Sequence, residues 1–312
     1  MSALQAALDE YLYIRRSLGF KLLDEGRVLP QFLRFLEKEN ASIITTALAI
    51  KWATLPENVL PIHWSHRLAM VRTFARYYCA LDSRTEIPPP ELLPHRYHRK
   101  PPYIYDDGEI ARLLQASNHL QSATGLRAAT YSTIFGLLVV TGMRISEPIA
   151  LDRCDVDFAQ GILTVRQSKF GKSRLIPIHS STVDKLQEYG RQIDELFSKQ
   201  KSPSFFVSEK GTRLTQWAVR WTFVKLSREI GLRTPDDKHG PRLHDLRHTL
   251  AVKTLLKWYQ TDIDVERHLP ELATYLGHTH VNDTYWYISA VPELLRLASL
   301  RLDRPLSGGK LS

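Results

Sequence analysis

Two histidines, an arginine and a tyrosine in the last quarter of the chain have the types and spacing to work on an anionic phosphate. His244 and Arg247 lie three apart in HDLRHT, so on a helix they share a face and reach one bound group together. About thirty residues later, LGHTHVNDTYWY closes a segment at Leu276-Gly277-His278. It sets Tyr287 nine positions after His278, with Thr284 one helical turn before the tyrosine. A phosphate held by arginine and histidine, with a phenol brought near it, is the apparatus for a covalent attack on DNA.

A phosphodiester resists nucleophiles because it is negatively charged. Cleaving it needs an attacking oxygen, neutralisation of the pentacoordinate transition state, and a proton for the departing 5′ oxygen. Arginine meets the middle need, since its planar fork gives paired hydrogen bonds and keeps its charge at any working pH. Two arginines can take the place of the metal ions that many nucleases use. The sequence offers no convincing carboxylate cluster for a metal, so no cofactor is expected.

Positioning these groups falls to elements that the apolar residues mark out. Residues 2 to 18 read as an amphipathic helix, with Leu4, Leu8, Tyr11 and Leu12 on one face and Gly19 at its end. A second helix is expected over about 27 to 39, striped by Phe32, Phe35 and Leu36, with Pro30 in its first turns. Thr46 is expected to cap a third, which passes Trp52 and ends before Pro56. A fourth spans about Ser65 to Leu81 and buries Leu68, Val71, Phe74, Ala75 and Tyr78. Four helices without a strand make a small all-α domain. From Ser83 to Pro102 the composition changes, and the prolines at 88–90 and in HRYHRKPP rule out a continuous helix. The expected division is a domain over 1–83, a semi-rigid linker over 84–105, a second domain over 106–303 and a tail over 304–312.

Past the linker, DDGEIARLLQAS starts a helix capped by Asp106 or Asp107, and a strongly apolar core helix follows from about Leu126 to Val140. In TGMRISEPIAL, Gly142 breaks that helix and sets Arg144 on a turn, and Ser146, Glu147 and Pro148 begin another short helix. GILTVRQSK and SRLIPIH alternate like two strands joined by the FGK turn at 170–172. Such a hairpin carries Lys169 and Lys172 at its tip and can lay ammonium groups into a cleft. Helices over Ser181 to Phe197 and Leu214 to Ile230 follow, then a loop that delivers the chain to His244, and a last amphipathic helix over Val291 to Asp303.

At 312 residues the chain has room for two cores. A net charge of +9 and a pI near 9.5 favour a polyanionic partner such as nucleic acid, although charge alone also suits an anionic membrane surface. Cys79 and Cys154 are far apart and read as free thiols in a reducing compartment. No apolar run approaches a membrane span, and the N-terminus lacks a signal-peptide pattern, so a cytosolic protein is expected.

Four motifs in order, TGMRISE, HxxR, LGH and a tyrosine nine residues on, resemble the tyrosine recombinases, also called the phage-integrase family. The motifs cover roughly residues 106 to 290. The resemblance implies a mainly α fold with a small antiparallel sheet: an all-α, SAM-like core-binding domain that clamps one side of the duplex, joined to an α+β catalytic domain. It implies site-specific recombination by cleavage, exchange through a Holliday junction and religation, without metal or ATP. The partners implied are double-stranded recombination sites, further copies of the chain in a tetramer, and accessory recombinases, with no membrane. A mobile-element integrase is the favoured role. Two other classes stay open, a type IB topoisomerase-like relaxer and a DNA-binding accessory protein without catalysis.

The resemblance assigns Arg144 and Arg247 as the two phosphate-binding arginines, with Glu147 orienting Arg144. His244 becomes a general acid–base group, His278 a hydrogen-bond donor to the phosphate, and Tyr287 the nucleophile, with Tyr285 as its rival. The catalytic lysine falls on Lys169 by its distance from the RLIPI strand, with Lys172 as the alternative. His248 and His280 read as structural. For DNA contact the candidates are Arg67, Arg72 and Arg76 on the fourth helix, Arg96, Arg99 and Lys100 beside Tyr97 in the linker, and Lys172; solvated surface charge is the competing reading for them. The last helix packs either on its own domain or on a neighbouring copy.

Overall fold

The computed structural model describes residues 3–94, 101–167, 171–197, 202–237, 240–261 and 263–302. The chain divides into two compact units after Lys100.

The first unit holds four helices: α1 (Ala3–Ser17), α2 (Leu23–Lys38), α3 (Thr46–Thr54) and α4 (Pro61–Tyr78). Their apolar stripes meet in one core built on Leu8, Phe32, Leu36, Trp52, Val71 and Phe74. Three helix starts differ from the sequence reading, among them α4, which begins at Pro61 rather than near Ser65. α2 begins four residues early, so Pro30 lies within the helix rather than in its first turns. α3 is capped by Thr45, whose hydroxyl accepts from Leu48 N at 3.3 Å. Thr46 instead gives its N–H to the Glu86 carboxylate at 2.7 Å. The start of the proline-rich stretch is therefore tied back onto the helices. Arg72 reinforces this by donating to the carbonyls of Pro88 and Pro89 at 2.7 and 2.8 Å.

The second unit begins with α5 (Asp107–Asn118), α6 (Leu126–Thr141) and the short α7 (Ser146–Ala150). Asp106 caps α5 in a reciprocal arrangement with Glu109. Three strands follow, β1 (Val156–Asp157), β2 (Ile162–Val165) and β3 (Arg174–Pro177), in antiparallel order β1-β2-β3. β1 has only two residues, too few to show an alternation in sequence. Leu163 faces Val156 and Ile176 across the ladder and is fully buried with Ile176, so one sheet face enters the core. α8 (Ser180–Leu196) and α9 (Gln216–Glu229) pack on the same core with α5 and α6. A second cluster joins α10 (Leu243–Gln260), α11 (Val265–Leu276), α12 (Asn282–Ala290) and α13 (Pro292–Leu302). Within it Leu294 is buried on the unit's own core, while Leu295 and Leu300 of the same helix are exposed. Among the described residues no helix is long and apolar enough to cross a membrane.

Candidate active site

α10 starts behind a cap in which the Arg242 N–H donates to Asp245 at 2.7 Å and the two side chains form an ion pair. The first two turns of the helix then present His244, Arg247 and His248. Arg247 is 2% exposed, and its Nη1 donates to the Gly142 carbonyl at 2.8 Å. Gly142 ends α6 with φ +60°, and a Cβ there would lie 2.9 Å from Leu250 and 3.1 Å from Leu276. A glycine thus serves two needs at this point, left-handed backbone and close approach to α10. The other end of the Arg247 fork, Nη2, is buried with no hydrogen-bond partner among the described residues.

Arg144 follows two residues after Gly142. Its Nη2 donates to the Gly277 carbonyl at 2.8 Å, which links the TGMR turn to the LGH turn. Its backbone N–H and Nη1 both bond to the Glu147 carboxylate, at 2.8 and 3.1 Å. Arg174 on β3 grips the same carboxylate with both terminal nitrogens and donates through Nε to the Tyr275 carbonyl. Burial alone would raise the Glu147 pKa. The bonds and charge of Arg174, with the Arg144 N–H and charge, outweigh burial and hold the carboxyl below its ordinary range.

His278 comes just after Gly277, which ends α11 at φ +69°. Its Nδ1 lies 2.7 Å from the hydroxyl of Thr284, a fully buried residue of α12, and this contact fixes the rotation of the ring. One turn further along α12 is Tyr287, only 1% exposed. Its hydroxyl lies 2.6 Å from Nδ1 of His248. Tyr285, the rival nucleophile, is 44% exposed on the same helix.

His244 stands with its ring centroid 4.7 Å from that of His248. Although the residue as a whole is exposed, desolvation of the ring and the adjacent Arg247 charge push its pKa down to about 4, against a smaller opposing effect of Asp245. The imidazole is therefore neutral at pH 7 before any anion arrives. Burial, aided by Arg144, lowers Arg247 to about 10, which leaves it cationic at neutral pH. Beside these groups opens a cleft of about 560 Å³ lined by Arg144, Ser146, Gln216, Arg220, Arg233 and His244, among others. A larger groove of about 620 Å³ between α5, α6 and α8 is mainly apolar and has none of this chemistry.

The structure thus brings Arg144, Arg247, His244, His278 and Tyr287 into one network of adjoining turns and helices. Lys169 lies outside the described residues, as do Arg96, Tyr97, Arg99 and Lys100; Lys172 is exposed. In the first unit Arg76 is exposed, but two of the three helix arginines are engaged within their own fold. Arg72 holds the proline carbonyls. Arg67 lies 3.7 Å over the Trp52 ring and donates to the Trp52 carbonyl. Arg72 is half-buried, and its guanidinium is engaged by proline carbonyls that have no helical partner.

Several residues of the site were not among the sequence candidates. His248, which reads as structural in the sequence, is the neighbour of the tyrosine hydroxyl; its spacing of four from His244 is the available signal. Arg174 gave none, being one arginine on a strand. Gln216 and Arg220 lie one turn apart on α9 and line the cleft together, a spacing legible in LTQWAVRW only once the cleft is known. Among the described residues no three His, Cys, Asp or Glu side chains gather as a metal-ligating group.

The profile of the phage integrase family matches residues 105–293. The chain is 47% identical over 308 residues to a putative integrase/recombinase, y4rB, of Sinorhizobium fredii, spanning 97% of this chain and 98% of that protein. It is 29% identical over 227 residues to the tyrosine recombinase XerC of Chlamydia caviae, spanning 71% and 65% of the two. Among solved structures, the Tn1549 transposon integrase in complex with transposon right end DNA superposes with a TM-score of 0.62 at 14% identity, over 96% of this chain and 99% of that one, a likeness of fold. The matched span contains the TGMR turn, α10, the LGH turn and the tyrosine helix, and the chain belongs to the phage integrase family of tyrosine recombinases.

Proposed function

We propose that this protein is a site-specific recombinase that cuts and rejoins double-stranded DNA through a 3′-phosphotyrosyl intermediate, acting for a mobile element. The observation that carries the reading is the buried Nη2 of Arg247, unpartnered among the described residues, near Arg144 and one residue before the histidine that meets the Tyr287 hydroxyl. A desolvated guanidinium donor costs stability unless an acceptor reaches it. A phosphate oxygen in the cleft is an acceptor of matching charge and geometry.

In this mechanism Arg144 and Arg247 bind the non-bridging oxygens and balance the charge that grows on phosphorus. Tyr287 Oη attacks and forms the phosphotyrosyl bond as the 5′ oxygen departs. A lysine of the β2–β3 hairpin, Lys169 by its expected alignment, supplies the proton to that oxygen. His244 and His278 complete the oxygen contacts, His244 as a neutral imidazole. The phosphotyrosyl ester conserves the energy of the broken bond, so religation needs no nucleotide triphosphate. Exchange between two duplexes through a Holliday junction requires four strand cuts, hence four tyrosines, which is the reason for proposing a homotetramer. The mobile-element role draws support from the integrase/recombinase of Sinorhizobium fredii, which matches 97% of this chain, while the transposon integrase shares the fold over 96% of it.

Incubating the purified protein with fragmented DNA, trapping covalent adducts under denaturing conditions and sequencing them tests the proposal. Wild type is expected to yield adducts at defined 3′ ends, and Tyr287→Phe none. Adducts of equal yield from Tyr287→Phe would sink it. Relaxation of supercoiled plasmid with no recombined product would replace strand exchange by simple relaxation.

A further inference from the structure

The hydroxyl of Tyr287 is not left to water. It lies in a buried contact with Nδ1 of His248 at 2.6 Å, and the imidazole is also packed edge-on against Trp286, with ring centroids 5.9 Å apart. His248 is 5% exposed, so its ring has little freedom to turn away. It follows Arg247 directly on α10, and the tyrosine comes from α12. The contact therefore ties the phosphate-binding helix to the nucleophile helix at the atom that must react. None of the four recombinase motifs assigns this histidine a task.

We propose that His248 is the positioning residue of the nucleophile and the acceptor of its proton. A free phenol has a pKa near 10, so at neutral pH nearly every Tyr287 hydroxyl carries its proton and attacks poorly. With the imidazole proton on Nε2, Nδ1 accepts the Tyr287 O–H. As Oη bonds to phosphorus, the O–H bond breaks and its proton passes to Nδ1, giving an imidazolium. The P–O5′ bond breaks in the same displacement, and its electron pair takes a proton from the hairpin lysine. Religation runs the steps in reverse, with the imidazolium returning its proton to the leaving phenolate. Among the described residues, the titratable and charged groups near this pair include His244 and Arg247 of α10, with Arg144, Glu147 and Arg174 beyond Arg247. Arg247 favours the phenolate and disfavours the imidazolium. The proton therefore moves only when the phosphate enters and balances the arginines, which couples nucleophile activation to DNA binding.

This inference rests on Tyr287 being the nucleophile. The test uses the full-length chain, a nicked duplex carrying the site recovered by covalent trapping, and single-turnover adduct formation followed against pH. His248→Phe keeps the ring volume and removes the acceptor. His248→Asn places an amide oxygen near the position of Nδ1, able to hold the hydroxyl but not to take its proton. His248→Phe is expected to cut about 10²- to 10³-fold more slowly at neutral pH, with DNA binding and thermal stability close to wild type. His248→Asn should recover part of that loss. In both, the rate should climb about tenfold per pH unit toward the phenol's own range, where wild type levels off. Ultraviolet difference titration against Tyr287→Phe needs no DNA and reads the same phenol directly; its midpoint should shift between wild type and His248→Phe. The proposal is overturned if His248→Phe cuts within about threefold of wild type, or if both variants lose rate equally while keeping the wild-type pH profile. Adducts formed by Tyr287→Phe would instead remove the nucleophile assignment, so the two failures are distinguishable.

Discussion

Arg174 and Glu147 meet in a two-point ion pair, both bonds 2.9 Å, with the carboxylate side chain 2% exposed. The same carboxylate receives the backbone N–H and guanidinium of Arg144. An arginine on a strand thereby fixes, through one acid, the direction of an arginine on a turn.

Removing either partner should show as a loss of stability that depends on acidity. Arg174→Ala leaves a buried carboxylate with half its partners and is expected to cost about 3 kcal/mol in denaturant melts. Since the folded-state pKa of Glu147 is depressed, its contribution is present above the ordinary carboxylate pKa and is lost as pH falls through the folded value. Glu147→Gln should flatten the acid side of the stability curve. An unchanged acid limb would contradict the role given to the pair.

His244 gives an effect in a different window. Its pKa falls to about 4 in the folded protein from an ordinary value of 6.5, so the unfolded chain binds more protons between these limits. Stability should rise with pH across about 4 to 6.5, and His244→Gln should remove part of that slope. Urea melts at half-unit intervals of pH check this, and the same slope in both proteins would refute it.

At Gly142 an alanine meets two obstacles, a backbone at φ +60° and leucine methyls about 3 Å from its Cβ. Left-handed backbone alone costs a non-glycine residue about 1–2 kcal/mol. The carbonyl that holds Arg247 sits on this residue. Gly142→Ala should therefore lower adduct formation at temperatures where the protein is still folded, as judged by circular dichroism. A variant that is destabilised yet cuts at full rate would separate the turn from the arginine.

Two arginines nine residues apart on α4 should behave differently. Arg67→Ala loses its stack on Trp52 and a carbonyl bond, and is expected to destabilise the first unit. Arg76, exposed, should affect DNA instead: Arg76→Ala is expected to weaken binding to all sequences alike and to reduce the salt slope by about one. Fluorescence anisotropy over a salt series, beside thermal melts, checks both. A reversed pattern would show that α4 meets DNA through its other face.

What the sequence determined by itself was local or short in range. Apolar spacing located the helices to within a few residues, because a buried stripe repeats with the helical period. Arg144, Arg247, His244, His278 and Tyr287 were legible as candidates because their types suit phosphate chemistry and their motifs resemble those of the tyrosine recombinases. Tertiary structure decided the partners. Whether Arg67 and Arg72 face solvent depends on Trp52 and on the carbonyls of Pro88 and Pro89, which come near only when the chain folds back. That Arg174 serves Arg144, and that His248 meets Tyr287 from a helix thirty-nine positions away, are long-range contacts. No local periodicity encodes such a contact: it follows from how α10, α11 and α12 pack over the Gly142 turn, where the site's charges and hydroxyl share one buried space.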